Sequence, residues 1–338
     1  MDETRLRRLL TSALAGEPPV EPVAQNVLRA GIKQRRRRVL GAAGSVAAIA
    51  AIAVAVPAVT GPLGTHPAST AGQVTVYVRS IRAGTVTPIT VGLTTPEPPI
   101  RVGQGSGAIA VTPNGKTIYV ADYGGMVTPI TTATNTPGKP IKVGHVPLDI
   151  AITPDGKTTY VVNCFSNTVT PITTATNTPG KPIKVGRDPQ RIAITPDGKT
   201  AYVVSYGPGA VITNPGTGAP IAPFGRVTPI RTATNTPGKP IKVGNGALAI
   251  AITPDGKTAY VASSVSNTVT PITTATNTPG KPIKVGVRPW SIAITPDGKT
   301  AYVINRTSDT ATPITTATNA LGRSIRVGDD PWAMVITP

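Results

Sequence analysis

One cysteine, two histidines, two tryptophans and two phenylalanines are all that 338 residues carry of those types. A single thiol closes no intramolecular disulfide. Two histidines, His66 and His145, are too few for a histidine-based metal centre or a histidine-dependent triad. Charge is scarce, at 14% of residues, and lopsided, with 15 acidic against 33 basic residues and a net charge of +18. No phosphate-cradling glycine motif and no Ser/His/Asp spacing occurs. The sequence therefore assigns no catalytic residue, no metal and no cofactor. Glycine and proline are the reverse case: 35 and 37 residues, about a fifth of the chain, above the usual share but below that of low-complexity disorder.

A long apolar run occurs once. Residues 39–59 contain no charge and are almost entirely Ala, Val, Ile, Leu and Gly, directly after Lys33-Gln34-Arg35-Arg36-Arg37-Arg38. About 20 residues of helix span a hydrocarbon core, and Gly41, Gly44 and Pro57 are tolerated in lipid. No comparable basic cluster follows, so the positive-inside rule predicts residues 1–38 as a cytoplasmic basic segment, 39–59 as a signal-anchor helix and 60–72 as a linker leading outside. Ala53, Ala55 and Ala58 also offer small-residue cleavage sites, which leaves a secreted, cleaved form as the alternative. The cytoplasmic segment holds nine basic and four acidic residues. Its Leu6, Leu9, Leu10 and Leu14 fall on one helical face, for lying on anionic headgroups or docking to a partner.

From residue 73 the chain repeats itself. The unit is clearest in residues 145–186, HVPLDIAITPDGKTTYVVNCFSNTVTPITTATNTPGKPIKVG. Tyr77, Tyr119, Tyr160, Tyr202, Tyr260 and Tyr302 recur at intervals of 42, 41, 42, 58 and 42, the long interval holding an insertion near 205–225. Each unit reads as four short strands. Strand a is Ile-Ala-Ile-Thr, followed by a Pro-Asp-Gly-Lys turn in which Pro presets φ and Gly accepts a positive value. Strand b is Thr-Ala-Tyr-Val-Val and strand c Thr-Val-Thr-Pro-Ile. A tract Ala-Thr-Asn-Thr-Pro-Gly-Lys-Pro then turns the chain into strand d, Ile-Lys-Val-Gly. The proline inside strand c predicts a bulge or a position that donates no ladder bond.

Four strands in about 42 residues is the period of a β-propeller blade, and the proline content excludes a helical repeat. Tyr160-Val161-Val162-Asn163, with Ile-Thr-Pro-Asp-Gly-Lys before it and Ser-Asn-Thr-Val-Thr after, resembles the YVTN-type β-propeller repeat of bacterial and archaeal surface proteins. The likeness covers residues 73–338. It departs at Ala262-Ser263-Ser264, at the 205–225 insertion, and at Thr-Pro-Ile where the family often has Val-Ile-Asp. The resemblance implies an all-β extracytoplasmic propeller, often seven-bladed.

Counting units in this chain predicts six blades instead. Five complete units begin near 104, 145, 187, 245 and 287, while residues 73–103 supply strands b, c and d, and residues 329–338 supply strand a. Pairing the surplus strand with the incomplete blade would close the propeller without a free edge, with seven blades as the alternative.

Comparing the repeats with one another locates the individual positions. The a–b and c–d turns are near copies, whereas the d–a junctions and b–c loops vary, and these emerge at one end of the blades. That end gathers the candidate ligand or partner residues Tyr123, His145, Phe165, Arg187, Arg191, Tyr206, Arg288, Trp290, Arg306 and Trp332. Aromatic and arginine side chains dominate binding hot spots. Trp290 and Trp332 occupy equivalent positions 42 residues apart. The expected function is a membrane-anchored, monomeric, non-enzymatic binding or scaffold module for protein or anionic cell-envelope polymer. Nucleic acid is disfavoured by the topology. The alternative is a propeller hydrolase of the lactonase type, with its site at the channel mouth.

Overall fold

The computed structural model describes residues 52–55, 75–90, 97–105, 107–207, 212–213, 220–221 and 224–337. Among these residues no helix is long and apolar enough to cross a membrane. The predicted cytoplasmic segment, the linker 60–72 and all of the predicted membrane helix except residues 52–55 lie outside the described residues.

The fold is a repeated all-β architecture of the β-propeller kind, with six antiparallel sheets and one small hairpin among the described residues. In the third to sixth sheets strand a is Pro147–Ile152, Pro189–Ile194, Ala247–Ile252 and Pro289–Ile294. Strand b is Thr158–Asn163, Thr200–Ser205, Thr258–Ser263 and Thr300–Asn305, and strand c is Thr168–Thr173, Arg226–Arg231, Thr268–Thr273 and Thr310–Thr315. The hairpin, Ile212–Thr213 against Pro220–Ile221, belongs to the insertion.

The chain divides into two compact units, residues 1–124 with 128–139, and residues 125–127 with 140–338. In the first unit, Tyr77, Val86, Ile100 and Val102 of the first sheet pack on Ile118, Val120 and Ile130 of the second. The second unit repeats this layering. Tyr202, Val204, Val227, Ile241 and Val243 of the fourth sheet meet Ala247, Ala259, Val261 and Ile272 of the fifth.

Local chemistry explains the regularity. In the third sheet Thr153 Oγ1 donates to Asp155 Oδ1 at 2.6 Å, and the Lys157 N–H donates to the same oxygen at 3.0 Å. Gly156 holds φ at 72° behind them. The Thr153 hydroxyl and the Lys157 N–H hold the Asp155 carboxyl below the usual carboxylate range. The turn recurs at Asp197, Asp255 and Asp297.

Strand c passes through its proline without a bulge, each residue of Thr168–Thr173 pairing in register with strand b. The second expectation, a non-donating position, holds. The Pro171 carbonyl points outward and accepts from the Gly180 N–H at 2.7 Å. In an antiparallel strand the nitrogen of the same residue points the same way. The missing N–H therefore falls opposite the interruption between the two halves of strand d, Thr178–Pro179 and Ile183–Lys184. A Cβ on Gly180 would come within 3.1 Å of the Pro171 ring, which is why glycine follows Thr-Pro.

The repeated tyrosine is the tie between successive sheets. Tyr77, Tyr160, Tyr202 and Tyr260 are fully buried. Each phenol donates into the c–d turn of the sheet that follows, to Asn135, Asn235, Asn277 and Asn319 Oδ1 respectively, at 2.6–2.7 Å. These asparagines have φ between 52° and 58°. Asn is among the few residues that adopt this left-handed conformation readily. One residue thus makes the turn and supplies the acceptor.

The first and last sheets depart from expectation. The inner edge of the first sheet, assigned by the sequence to residues 329–338, is occupied by Ile52–Ala55 pairing with Thr75–Ser80. The physical reason is visible in the register: Ala53 lies opposite Tyr77 as Ala110 lies opposite Tyr119 in the second sheet, both within Ile-Ala-Val. Residues 331–337 form no strand. In the sixth sheet Ile325 is 51% exposed, whereas its counterpart Ile241 is 6% exposed. A groove of about 510 Å³ lies there between Tyr302, Ile304, Ala311 and the terminal residues 333–337.

Replacing Tyr202 by Phe is expected to cost about 1 kcal/mol of stability, the usual net worth of one such hydrogen bond. Chemical unfolding of Tyr202→Phe, Asn277→Ala and the double variant checks this through their coupling. Burial, with help from Glu97, Asp155 and Asp197 respectively, pushes the phenols of Tyr77, Tyr160 and Tyr202 up to about 12. Their contribution to stability is complete below the ordinary tyrosine value near 10 and is lost as pH rises from there toward about 12. Phenolate absorbance from the buried tyrosines should therefore appear together with unfolding; the full phenolate signal of all eight tyrosines in a still-folded chain contradicts the tie.

Candidate functional site

The end of the sheets bearing the b–c loops and d–a junctions is built from backbone stitches that are alike and side chains that are not. In the sixth sheet the Arg306 and Thr307 N–H groups donate to the Arg288 and Val287 carbonyls at 3.0 and 3.2 Å. Tyr206 and Gly207 do the same to Asp188 and Arg187 in the fourth, and Phe165 to His145 in the third. An Asx side chain then reaches the next junction. Asn167, Asn267 and Asp309 Oδ1 accept from the Asp188, Arg288 and Asp330 N–H groups, each at 2.9 Å. The three donors themselves have φ of 51–55°.

Strand a opens with a register shift, between Pro147 and Asp149, Pro189 and Arg191, Ala247 and Ala249, and Pro289 and Ser291. The skipped residues are Leu148, Gln190, Leu248 and Trp290. Bulges re-aim a side chain, here toward the b–c loop. Gln190 Nε2 reaches the Cys164 sulfur of the preceding sheet at 3.7 Å. That thiol is buried and forms no disulfide.

In the last repeat the same placement assembles an aromatic clamp. Trp290 and Trp332 meet edge to face, with ring centroids 5.0 Å apart and planes at 76°. The Arg306 guanidinium lies against both, its Cζ 3.6 Å from the Trp332 centroid and 5.1 Å from that of Trp290. Arg306 also forms a two-point ion pair with Asp330, Nη2 to Oδ2 at 2.8 Å, with Nε donating to Oδ1. The Trp332 indole N–H donates to the same carboxylate at 3.1 Å. These hydrogen bonds, from Arg306 before Trp332, hold the Asp330 carboxyl below its usual range, with Arg288 adding to the effect. The Arg306 side chain is only 12% exposed. A guanidinium over an indole ring is worth about 0.5–2 kcal/mol. The clamp fastens residues 330–332 to the sixth sheet.

Of the residues singled out from sequence, Trp290, Arg306 and Trp332 thus come together, with Arg288 beside their carboxylate. Within the second unit the rest of the set lies on other sheets: His145 and Phe165 of the third are exposed, as are Arg187 and Arg191 of the fourth, where Tyr206 is half-buried. Tyr123, in the first unit, is 40% exposed, and Gly105 lies so close that a Cβ there would meet the Tyr123 ring.

Asp330 was visible to sequence reasoning only as one more acid in a variable junction. Arg79 gave no signal at all. It stands where the other repeats carry Val, Ala or Ile, is 2% exposed, and donates to the Gly105 and Gly107 carbonyls. Burial lowers its pKa, and the nearby Asp122 charge opposes that shift. Phe224 and Val265 were missed as well; both are at least half exposed. Among the described residues no three of His, Cys, Asp and Glu converge as metal ligands.

No family model matches the chain, and no curated protein matches it. Among solved structures it is similar to hydrazine synthase of Kuenenia stuttgartiensis, at 22% identity over 72% of this chain and 92% of that one, with a TM-score of 0.42. It is also similar to a functionally unknown protein from Desulfotomaculum acetoxidans DSM 771, at 18% identity over 75% and 82%, with a TM-score of 0.59. The second likeness is one of fold.

Trp290 and Trp332 are the protein's two tryptophans, so intrinsic fluorescence reads this clamp alone. Arg306→Ala is expected to shift the emission to longer wavelength while the main unfolding transition stays put, and Arg306→Lys to recover little of it. The ion pair is complete above the usual Asp range and is lost as pH falls through the depressed Asp330 value. An emission spectrum unchanged by Arg306→Ala contradicts the clamp.

Proposed function

We propose that the chain is a non-enzymatic binding or scaffold propeller of the YVTN type, anchored by residues 39–59 with its sheets outside the cell. One observation carries the binding reading. Among the described residues of the second unit, apart from the outer strand of the sixth sheet and the terminal residues, the exposed large apolar side chains are Phe165, Phe224, Val265 and Val287. All four sit in b–c connections or a d–a junction, at the individual end of the sheets. Water-exposed apolar groups gathered at one end, rimmed by Arg187, Arg288 and His145, are the makings of a partner surface for protein or anionic envelope polymer.

The anchor reading draws on the arginine run and the uncharged residues behind it. Residues 52–55 cannot serve both a membrane helix and the first sheet. In the anchored protein the inner position of that sheet falls to residues 333–337, whose Met-Val-Ile-Thr fits the register of Ile-Ala-Ile-Thr, and six blades close.

Two measurements test these readings. The full-length protein with Phe165→Ser and Val265→Ser should lose captured envelope partners about tenfold. Such surface changes should leave stability within about 0.5 kcal/mol. Equal recovery of every partner removes the loop end from consideration. Deleting residues 333–338, which spares Asp330 and Trp332, should lower the melting temperature of the membrane-embedded protein; an unchanged value leaves Ile52–Ala55 as the inner strand.

A further inference from the structure

The outer strands of the second unit carry a row of cations that the stacking of the sheets does not require. Stacking accounts for the asparagine and the glycine of each c–d turn, yet two basic residues recur beside them. They are Lys181 and Lys184 in the third sheet, Lys239 and Lys242 in the fourth, Lys281 and Lys284 in the fifth, and Arg323 and Arg326 in the sixth. The sixth tract keeps both cations although its Thr-Pro has become Ala-Leu and its second Pro has become Ser. From strand c through strand d, residues 168–186, 226–244, 268–286 and 310–328 contain no Asp or Glu. All eight cations are exposed, and among the described residues none of them forms an ion pair. The a–b turns differ: Lys157, Lys199, Lys257 and Lys299 each stand 3.6–3.9 Å from the carboxylate of their own turn. Charge is balanced at those turns and uncompensated along the outer strands.

The first unit shows what lies beside such a strand when the chain supplies an anion itself. Ile100 pairs with Val86 as Ile183 pairs with Val169, so counting back three residues places Glu97 where the third sheet has Gly180. The Glu97 N–H donates to the Pro88 carbonyl at 3.1 Å and the Gly180 N–H to the Pro171 carbonyl at 2.7 Å, the longer bond making room for the extra Cβ. The Glu97 carboxylate accepts from the Thr90 hydroxyl at 2.8 Å and from the amide Nδ2 of Asn135 in the second sheet. Asn135 Oδ1 holds the Tyr77 phenol, so one end of this amide serves the tie and the other a carboxylate. The residue after Glu97 is Pro98, where the third to sixth sheets place Lys181, Lys239, Lys281 and Arg323. The chain thus has a carboxylate without the cation at one strand, and the cation without a carboxylate at the others.

In the second unit the oxygens of Asn235, Asn277 and Asn319 serve the same tie. These three residues are exposed where Asn135 is half-buried, and among the described residues their amide nitrogens bond to no other group. Between the third and fourth sheets a groove of about 420 Å³ has Lys181, Pro182 and Lys184 on one side and Thr234, Asn235 and Pro237 on the other. Ile183–Lys184 lies beside Thr236–Pro237 there, and Ile241–Lys242 lies beside Thr278–Pro279 in the next pair of sheets. Cations and an amide donor therefore line the same cleft, and the arrangement recurs.

We propose that these grooves bind an extended acidic segment of a partner protein, whose glutamate side chains meet the lysines and asparagine amides as Glu97 meets Asn135. The occupant in the first unit is a glutamate side chain, which selects an acidic polypeptide over a phosphate polymer or an anionic lipid surface. A single exposed ion pair is weak, so successive grooves hold the partner by engaging one chain together. A surface repeated from sheet to sheet reads the density of negative charge rather than one sequence. It does not depend on the loop-end surface or on the anchor.

Poly-L-glutamate, kept extended by its own like charges, is the probe, titrated into the full-length protein by calorimetry. Lys181→Gln, Lys184→Gln, Lys239→Gln and Lys242→Gln together should weaken binding about tenfold or more. Lys157→Gln, Lys199→Gln, Lys257→Gln and Lys299→Gln together remove the same charge from the a–b turns and should change it less than about twofold. The arginines at 35–38 are common to all three proteins and drop out of the comparison. Carbodiimide coupling, which joins carboxylates to adjacent amines, should mark Lys181, Lys239 and Lys281 ahead of the a–b lysines. Equal effects in the two variants, no binding by wild type, or binding of polyphosphate or anionic vesicles without that of poly-L-glutamate overturns the proposal.

Discussion

A buried phenol needs an acceptor, and for Tyr77, Tyr160, Tyr202 and Tyr260 the acceptor belongs to the next sheet. Leaving a hydroxyl unpaired in an apolar layer costs on the order of 1–3 kcal/mol, enough to decide whether two sheets stack in register. Tyr160, Tyr202 and Tyr260 meet that need through Asn235, Asn277 and Asn319, whose backbone conformation is itself set by the c–d turn. The recurrence of Thr-Asn-Thr-Pro-Gly-Lys-Pro in four of the repeats follows. Asn must sit in the left-handed region, Pro must lie opposite Tyr on strand c, and Gly must let strand d pass the proline ring. Changing one of these residues disturbs the alignment of the others, so the uniform end of the sheets has little freedom to carry a specific function.

The other end is pinned by a lighter device. There Asn167, Asn267 and Asp309 each hold one backbone N–H of the following junction. Since only a backbone donor is used, the side chains at those junctions are unconstrained by the repeat. Cys164, Tyr206, Ser264 and Arg306 can differ at one position, and Leu148, Gln190, Leu248 and Trp290 at its neighbour, without loss of stacking. Individuality accumulates where the tie is made of backbone.

How much of this the sequence reveals depends on whether a partner is local or a repeat away. The six tyrosines, the four-strand period, the Pro-Asp-Gly-Lys turn and the pairing of Trp290 with Trp332 are legible because each recurs at a fixed interval. The acceptor for Tyr160 is not, since Asn235 lies 75 residues on and is itself one of a repeated set. Nor is Asp330 as the partner of Arg306: a carboxylate among several in a variable junction acquires its role only when the fold brings it and Trp332 to the same guanidinium. Ile52-Ala53-Val54 shows the opposite limit. An apolar, β-branched tripeptide satisfies a hydropathy window and an inner strand equally well, so one stretch supports two readings until pairing is seen.

The bulge at the head of strand a is where repetition turns into chemistry. By skipping one residue it sends Gln190 to a thiol and Trp290 to a guanidinium, and it leaves the following residue, Asp149 or Arg191, on the inner edge. Neighbouring positions in sequence therefore serve opposite ends of the same junction, one the loop surface and one the strand edge. Substitution at 290 or 332 alters the clamp without touching the Asp149 bond to the Ile192 N–H, and substitution at 149 does the reverse. Two sites can vary separately on a scaffold whose ties remain constant, because the extra residue uncouples them.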